Sequence, residues 1–245
     1  MKHLIPTYLR KLNKGLLINN AIEAFLDFLF PQKCLGCGKS GPIICKACLD
    51  LIPFPEDSIH NKLAPNTMPI IAAACYKNET MRKAIWLLKY KKIKTAAKPI
   101  AWLICERCIE YISEIYTFYS LKDFLIIPVP VSKKRLRERG FNQAEIIASN
   151  VMLGLQNKMP LKKFSLDGNL LKKIKETSSQ VLAKDRVKRL KNLKGSLTIE
   201  NPEKIKGKNI ILIDDVSTTG ATIYEASSLL KKSGARIIIP MVAAR

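Results

Sequence analysis

Acidic side chains are scarce in this chain: 20 Asp and Glu stand against 42 Lys and Arg, a formal net charge of +22. So basic a surface attracts polyanions, whether nucleic acid, acidic lipid or phosphorylated small molecules. A lysine-rich background composition is the bland alternative. The imbalance is local, however. Residues 82–98 hold seven basic and no acidic side chains, residues 131–139 five basic and one acidic, and residues 171–208 twelve basic and four acidic. These windows carry nearly all of the excess, and they make a binding surface if the fold brings them to one face.

Long apolar runs are missing too. None is long enough to span a bilayer, which excludes an integral membrane protein. Residues 16–30 come nearest, but Glu23 and Asp27 interrupt them and no small-residue cleavage site follows. They read as an amphipathic helix rather than a signal peptide, with Leu16, Leu17, Asn20, Ile22, Phe25, Leu26 and Leu29 on a mostly apolar face. Without an export signal the expected compartment is the cytoplasm, where thiols stay reduced. Histidine is nearly absent, and His3 and His60 stand alone in irregular contexts that suggest no role. There is no internal repeat and no low-complexity tract beyond the lysines. A hydrophobic content of 47% with 25% charged residues is that of a folded domain, not a disordered chain.

Seven cysteines, an odd number in a reducing compartment, read as metal ligands or core thiols before disulfides. Cys34, Cys37, Cys45 and Cys48 form two tight pairs. Each pair bends its own backbone to aim two sulfurs at one ion, and four thiolates close a tetrahedral Zn²⁺ site with no open position, hence a structural one. An iron–sulfur centre or a redox pair is the alternative. The surrounding fragment has too few large apolar residues to fold without such a staple. Cys105 and Cys108 share the spacing but lie in a helical pattern with Trp102, Leu103, Ile109 and Ile112, so they are expected to be core thiols. Cys75 is expected in the core of a strand. Trp86 is expected to pack a helix against a sheet; with Arg82, Lys89, Lys91 and Lys92 nearby, a stacking platform for single strands is the alternative.

Three regions follow along the chain: an N-terminal helix over residues 1–30, the cysteine module with a Pro-rich linker over 31–68, and an α/β domain over 69–245. In the last, residues 70–76, 124–129, 197–199, 210–213 and 236–241 read as strands. Residues 80–90, 96–116, 142–155 and 221–232 read as helices, and Gly234 stops the last of them. Residues 131–139 read as a basic loop between a strand and the helix that Asn142 caps. The strand–loop–helix–strand run at the end implies a right-handed parallel crossover.

The segment with the sharpest chemistry starts at Ile210. Four apolar residues make a buried strand that ends in Asp214 and Asp215. Val216, Ser217, Thr218, Thr219, Gly220, Ala221 and Thr222 then lead into a helix. Open parallel sheets bind ligands beyond the carboxyl ends of their strands. A helix N-terminus with free amides and several hydroxyls cradles phosphate, and Gly220 lets the backbone come close. The two acids accept hydrogen bonds from vicinal ribose hydroxyls and help place Mg²⁺. A sugar phosphate satisfies both halves. The alternative, a plain helix cap, needs one hydroxyl and leaves the acid pair and the other hydroxyls unexplained.

Residues Asp214 to Thr222 resemble the signature of type I phosphoribosyltransferases. Four further segments narrow the resemblance to the ComF family of phosphoribosyltransferase-like proteins, which is linked to DNA uptake in natural competence. They are Phe30-Pro31-Gln32-Lys33-Cys34-Leu35-Gly36-Cys37, Ile127-Pro128-Val129-Pro130, Arg139-Gly140-Phe141-Asn142-Gln143, and Thr177-Ser178-Ser179-Gln180 with Arg189-Leu190-Lys191-Asn192. The resemblance covers about residue 29 to the last residue. It implies a type I phosphoribosyltransferase-like α/β fold, a parallel sheet with helices on both faces, preceded by the four-cysteine zinc module. It also implies that Asp214 and Asp215 are the catalytic acids if the protein is an enzyme, and that residues 216–222 with Lys133, Arg135 and Arg139 hold phosphoribosyl diphosphate, with which Mg²⁺ binds. Lys173 stands where the family has arginine, which keeps the charge and loses bidentate geometry.

The segment after Lys173 is often a hood over the pocket in such transferases. Lys173, Lys175, Arg186, Arg189 and Lys191 there suit a nucleic-acid backbone equally well. The resemblance therefore implies a cytoplasmic protein that handles internalised single-stranded DNA beside the uptake machinery at the inner membrane. A phosphoribosyltransferase of nucleotide metabolism is the alternative, for which no acceptor motif is visible. The gluconate-uptake-associated branch of the family is a third reading that the sequence does not separate.

Overall fold

A computed structural model describes residues 32–55, 69–116, 123–174 and 195–245. The expected N-terminal helix, His3, His60 and four of the tentative nucleic-acid residues (Lys175, Arg186, Arg189 and Lys191) lie outside them, as do Thr177, Gln180 and Asn192. The chain divides into two compact units between Cys48 and Leu49.

In the first unit the described chain makes a knuckle. Lys33 and Ser40 form an antiparallel bridge. The Gly38 amide donates to the Cys34 carbonyl at 2.9 Å, with Gly38 at φ 72°. Residues with a Cβ avoid that left-handed region, so glycine is what lets the turn close behind Cys37. A one-turn helix, α1 (Lys46–Asp50), starts after Cys45.

The second unit is built on a five-stranded sheet. Its strands are β1 (Ile71–Ala74), β2 (Asp123–Pro128), β3 (Lys163–Leu166), β6 (Asn209–Val216) and β7 (Ile237–Ala244). Their order across the sheet is β1-β7-β6-β2-β3, and every pairing is parallel. A separate antiparallel pair joins β4 (Leu171–Lys173) to β5 (Leu197–Ile199). The helices are α2 (Glu79–Tyr90), α3 (Ala97–Tyr116), α4 (Lys133–Arg139), α5 (Gln143–Lys158) and α6 (Ala221–Lys232).

Strand alternation explains the layers. Ile210 and Leu212 of β6, Ile238 and Val242 of β7, and Ile127 of β2 join Ile223, Ala226 and Leu230 of α6 in one buried cluster. Alternate residues such as Ile211, Ile213 and Ile239, also fully buried, must point to the opposite face, where α3 and α5 pack. Helices on both faces leave no room for polar residues in the central strand, hence the unbroken run at 210–213. Each such side chain contributes about 1.5–3 kcal/mol of burial.

α3 and α5 meet closely at Gly154, where a Cβ would come within 2.7 Å of the Cys105 Sγ. That thiol is buried and donates to the Val151 carbonyl at 3.4 Å. Burial pushes it up to about 12 and Cys108 higher still. Both are core thiols, as expected.

Three expectations are corrected. Residues 133–139 are a seven-residue helix, not a loop: Ser132 caps it by accepting from the Arg135 amide at 3.3 Å, and Gly140, at φ 83°, ends it. Cys75 lies one residue past β1 and is only half-buried. Trp86 does not pack inward, because α2 buries Met81, Ala84, Ile85 and Leu88 and leaves Trp86 46% exposed. No described helix is long and apolar enough to cross a membrane.

Candidate functional site

β6 lies between β2 and β7, so its carboxyl end opens where sheet and helices leave a hollow. Asp214, Val216, Ser217, Thr218, Thr219, Gly220, Ala221, Thr222 and Ile223 line it. The loop is pinned at its start, where the Ser217 amide donates to the Ala244 carbonyl of β7 at 3.1 Å. At its end Gly220, at φ 77°, occupies the cap position of α6, and no side chain caps the helix there. Neither Ser nor Thr takes the cap position; the Thr219 Oγ1 accepts from the Ala221 amide at 3.4 Å, which uses one hydroxyl of the loop and leaves the next first-turn amides to face a ligand. The Ser217 Oγ is buried without a hydrogen-bond partner. Such an orphan in a polar hollow marks a place for an external acceptor or donor.

The two acids differ. Asp214 keeps part of its surface open, but its carboxyl is enclosed. Burial, and then the Asp215 charge, push it up to about 7, against the pull of the Asp215 amide (2.8 Å), Lys89 and Lys173. Asp215 pairs with Lys89 of α2 at 2.8 Å, both side chains largely buried. Sequence reasoning missed Lys89 as a site residue. It is one of seven cations in its window, and nothing local tells it from the rest.

Lys173 belongs to the same electrostatic neighbourhood. Its ammonium is pushed down chiefly by burial and then by Arg135, while Asp214 opposes the shift. Arg139 donates to the Gln143 Oε1 at 2.7 Å, across the turn at Gly140. Asn142 is the expected cap, its Oδ1 accepting from the Ala144 amide at 3.1 Å while its amide holds the Val129 carbonyl. The structure thus ties Asp214, Asp215, residues 216–222, Arg135 and Lys173 to the end of β6. Lys133 and Arg139 are placed on α4, a helix with no buried residue.

Because the carboxyl of Asp214 is raised, a cation or hydroxyl donor that binds its ionised form must displace a proton below about pH 7. We expect binding of a Mg²⁺-bearing ligand to strengthen from pH 6 to pH 8 and to release protons at pH 6. Calorimetry in buffers of different ionisation enthalpy reads this directly. A pH-independent affinity would count against Asp214 as a ligand. For stability the sign is opposite: the folded chain holds this proton more tightly than the unfolded one, so Asp214's contribution is complete near pH 4 and is lost as pH rises through 7.

Separately, the Sγ atoms of Cys34, Cys37, Cys45 and Cys48 all lie within 4.8 Å of one another. Four sulfurs bound about 2.3 Å from one ion stand about 3.8 Å apart, and Cys37 and Cys45 are separated by 3.8 Å. Burial works against ionising Cys34, but the amides of Cys37, Cys45 and Gly36 bring its thiol down to about 6. Cys48 is pushed up to about 12, first by the Cys45 thiol and then by burial. Four thiols this close ionise together only around a cation. The donor set fits a metal ion such as zinc.

A model of the phosphoribosyl transferase domain matches residues 138–245. Competence protein ComFC of Bacillus subtilis is 33% identical over 51% of this chain and 45% of its own length. Competence protein F of Haemophilus influenzae is 39% identical over 44% of each. DNA utilization protein YhgH of Escherichia coli O157:H7 is 30% identical over 46% of this chain and 45% of its own. The matched segment thus spans a little under half of these relatives.

Proposed function

We propose that the chain, which resembles competence proteins of the ComF family over about half its length, is a competence protein that handles internalised single-stranded DNA in the cytoplasm and binds phosphoribosyl diphosphate with Mg²⁺ at the end of β6. The observation that carries the second half is the hollow at residues 214–223, with glycine at the helix cap position, its orphaned Ser217 hydroxyl and Asp214 in its lining. Phosphate takes the loop amides, and ribose hydroxyls and Mg²⁺ take Asp214 and Asp215. Arg135 and Lys173, with Lys133 and Arg139, offset the diphosphate charge. The net charge of +22 and the printed names of the relatives support the DNA half. In this reading the four-cysteine site holds structural Zn²⁺, and the DNA-uptake machinery at the inner membrane delivers the strand.

Calorimetry with phosphoribosyl diphosphate and Mg²⁺, beside a single-strand binding assay, tests both halves. Asp214→Asn/Asp215→Asn should weaken ligand binding about tenfold or more and leave strand binding intact. Equal ligand affinity in the variant would sink the pocket assignment. Wild-type protein that takes no single strand at low salt would sink the DNA reading. Turnover of phosphoribosyl diphosphate with a base or amine would favour the metabolic transferase instead.

A further inference from the structure

We infer that single-stranded nucleic acid is held on an aromatic platform formed by α2 and the turn at Gly140. The inference rests on the reading that the protein takes single strands; it assigns the place and the chemistry. Trp86 and Tyr90 lie one helical turn apart on α2, on the same face. They are 46% and 62% exposed, with ring centroids 6.3 Å apart and planes at 42°. Large aromatics left this open on a folded helix are unusual without a partner.

Each ring, and a third beside them, carries a cation. The Lys91 Nζ stands 5.3 Å from the Trp86 centroid, the Arg139 guanidinium 5.7 Å from Tyr90, and the Lys94 Nζ 5.4 Å from Phe141. Gly140, in the left-handed region, turns the chain between Arg139 and Phe141, bringing the second basic window of the sequence against the first. Two of the three lysine- and arginine-rich stretches therefore meet here, interleaved with aromatic rings.

A single strand matches this alternation: flat bases for the rings, and a phosphate after each base for the cations. In the free protein each cation sits on a ring face that a base would take. On binding, the base takes the ring and the cation turns to the neighbouring phosphate. A duplex keeps its bases stacked on one another and offers nothing to the rings, so the surface selects unpaired strands. An acidic protein face or an anionic membrane would satisfy the cations but not the pair of open rings.

The test uses the full chain and a labelled oligothymidylate, read by anisotropy and by tryptophan fluorescence. Wild-type protein should bind with quenching of Trp86 and should prefer the single strand to duplex of the same length. Trp86→Ala/Tyr90→Ala should weaken binding at least about tenfold while leaving the salt slope unchanged. Trp86→Phe/Tyr90→Phe should restore most of the affinity. Lys91→Ala should instead shallow the plot of log affinity against log salt by about one. Because both rings are exposed, none of these variants should disturb folding, which unchanged binding of Mg²⁺ and phosphoribosyl diphosphate would verify.

Wild-type binding with no loss in the double alanine variant overturns the platform and leaves the DNA reading standing. Equal affinity for duplex overturns it as well. A Trp86 signal that responds to phosphatidylserine vesicles and not to the oligonucleotide does the same. No strand binding by the wild type removes the DNA reading and the platform together.

Discussion

Serine in place of Cys48 is expected to abolish stoichiometric zinc and to unfold the segment around residues 32–50. The reason lies in how little else holds that segment. Its buried apolar residues ahead of Cys48 are Ile43 and Ile44 beside Cys34 itself, and its backbone hydrogen bonds are few and local, such as Leu35 to Ile43 at 2.8 Å. Structural zinc contributes about 10–16 kcal/mol of apparent binding energy in small modules of this kind, far above what two isoleucines provide. A serine hydroxyl does not ionise near neutral pH, so the ion would keep three thiolates, and its affinity should fall by well over about a hundredfold. Metal analysis of the purified variant reads the loss. Trypsin reads the unfolding, since Lys33, Lys39 and Lys46 all lie in the segment. One zinc per chain with unchanged trypsin resistance would show that Cys48 is not a ligand and that the four thiols do not close one site.

Valine in place of Gly220 should eliminate binding at the hollow. At φ 77° a residue with a Cβ is strained by about 1–2 kcal/mol, and the Cβ would meet the Ile70 Cδ1 at 3.1 Å. The tip of an isoleucine can give a few tenths of an ångström; the branched valine demands more. Relief comes by pulling Gly220 out of the left-handed region, which swings the first-turn amides of α6 away from the ligand. The chain should still fold, because Ile223, Ala226 and Leu230 keep α6 on the sheet. Affinity for Mg²⁺ with phosphoribosyl diphosphate should fall by about a hundredfold or more, whereas Ser217→Ala, which removes one hydroxyl, should cost less. A Gly220→Val variant that folds and binds normally would contradict the cradle.

Local pattern and local chemistry were legible in the sequence; meetings between distant residues were not. The run at 210–213 announces a strand buried on both faces, and residues 221–232 alternate as a helix lying on a sheet must. The cysteine spacing places four sulfurs together because each pair is closed by its own turn. Helix α4 was missed although Ser132 and Gly140 mark its two ends. Without a buried residue it has no apolar period to read. β3 and β4 are three or four residues long and lysine-laden, so their pairing partners, not their composition, make them strands. The Lys89–Asp215 pair is invisible for the same reason: one end is a lysine among lysines. Trp86 was misread because an aromatic residue is usually buried, and only the packing of α2 shows which of its faces was already full.

The strand order has a consequence for how the chain comes together in time. β1 is among the first described elements of its unit to be made, yet its sole partner among the described strands is β7, the last of them. Ile71 cannot find Met241, nor Ala74 find Ala244, until the whole domain has been synthesised. The loop at Ser217 waits as well, since its amide anchors on Ala244. Such long-range closure makes folding slow and late, leaving the edges of β1 and β6 uncovered on the ribosome. A chain cut before residue 237 would thus lose not one strand but the slot between two others, and with it the footing of the pocket.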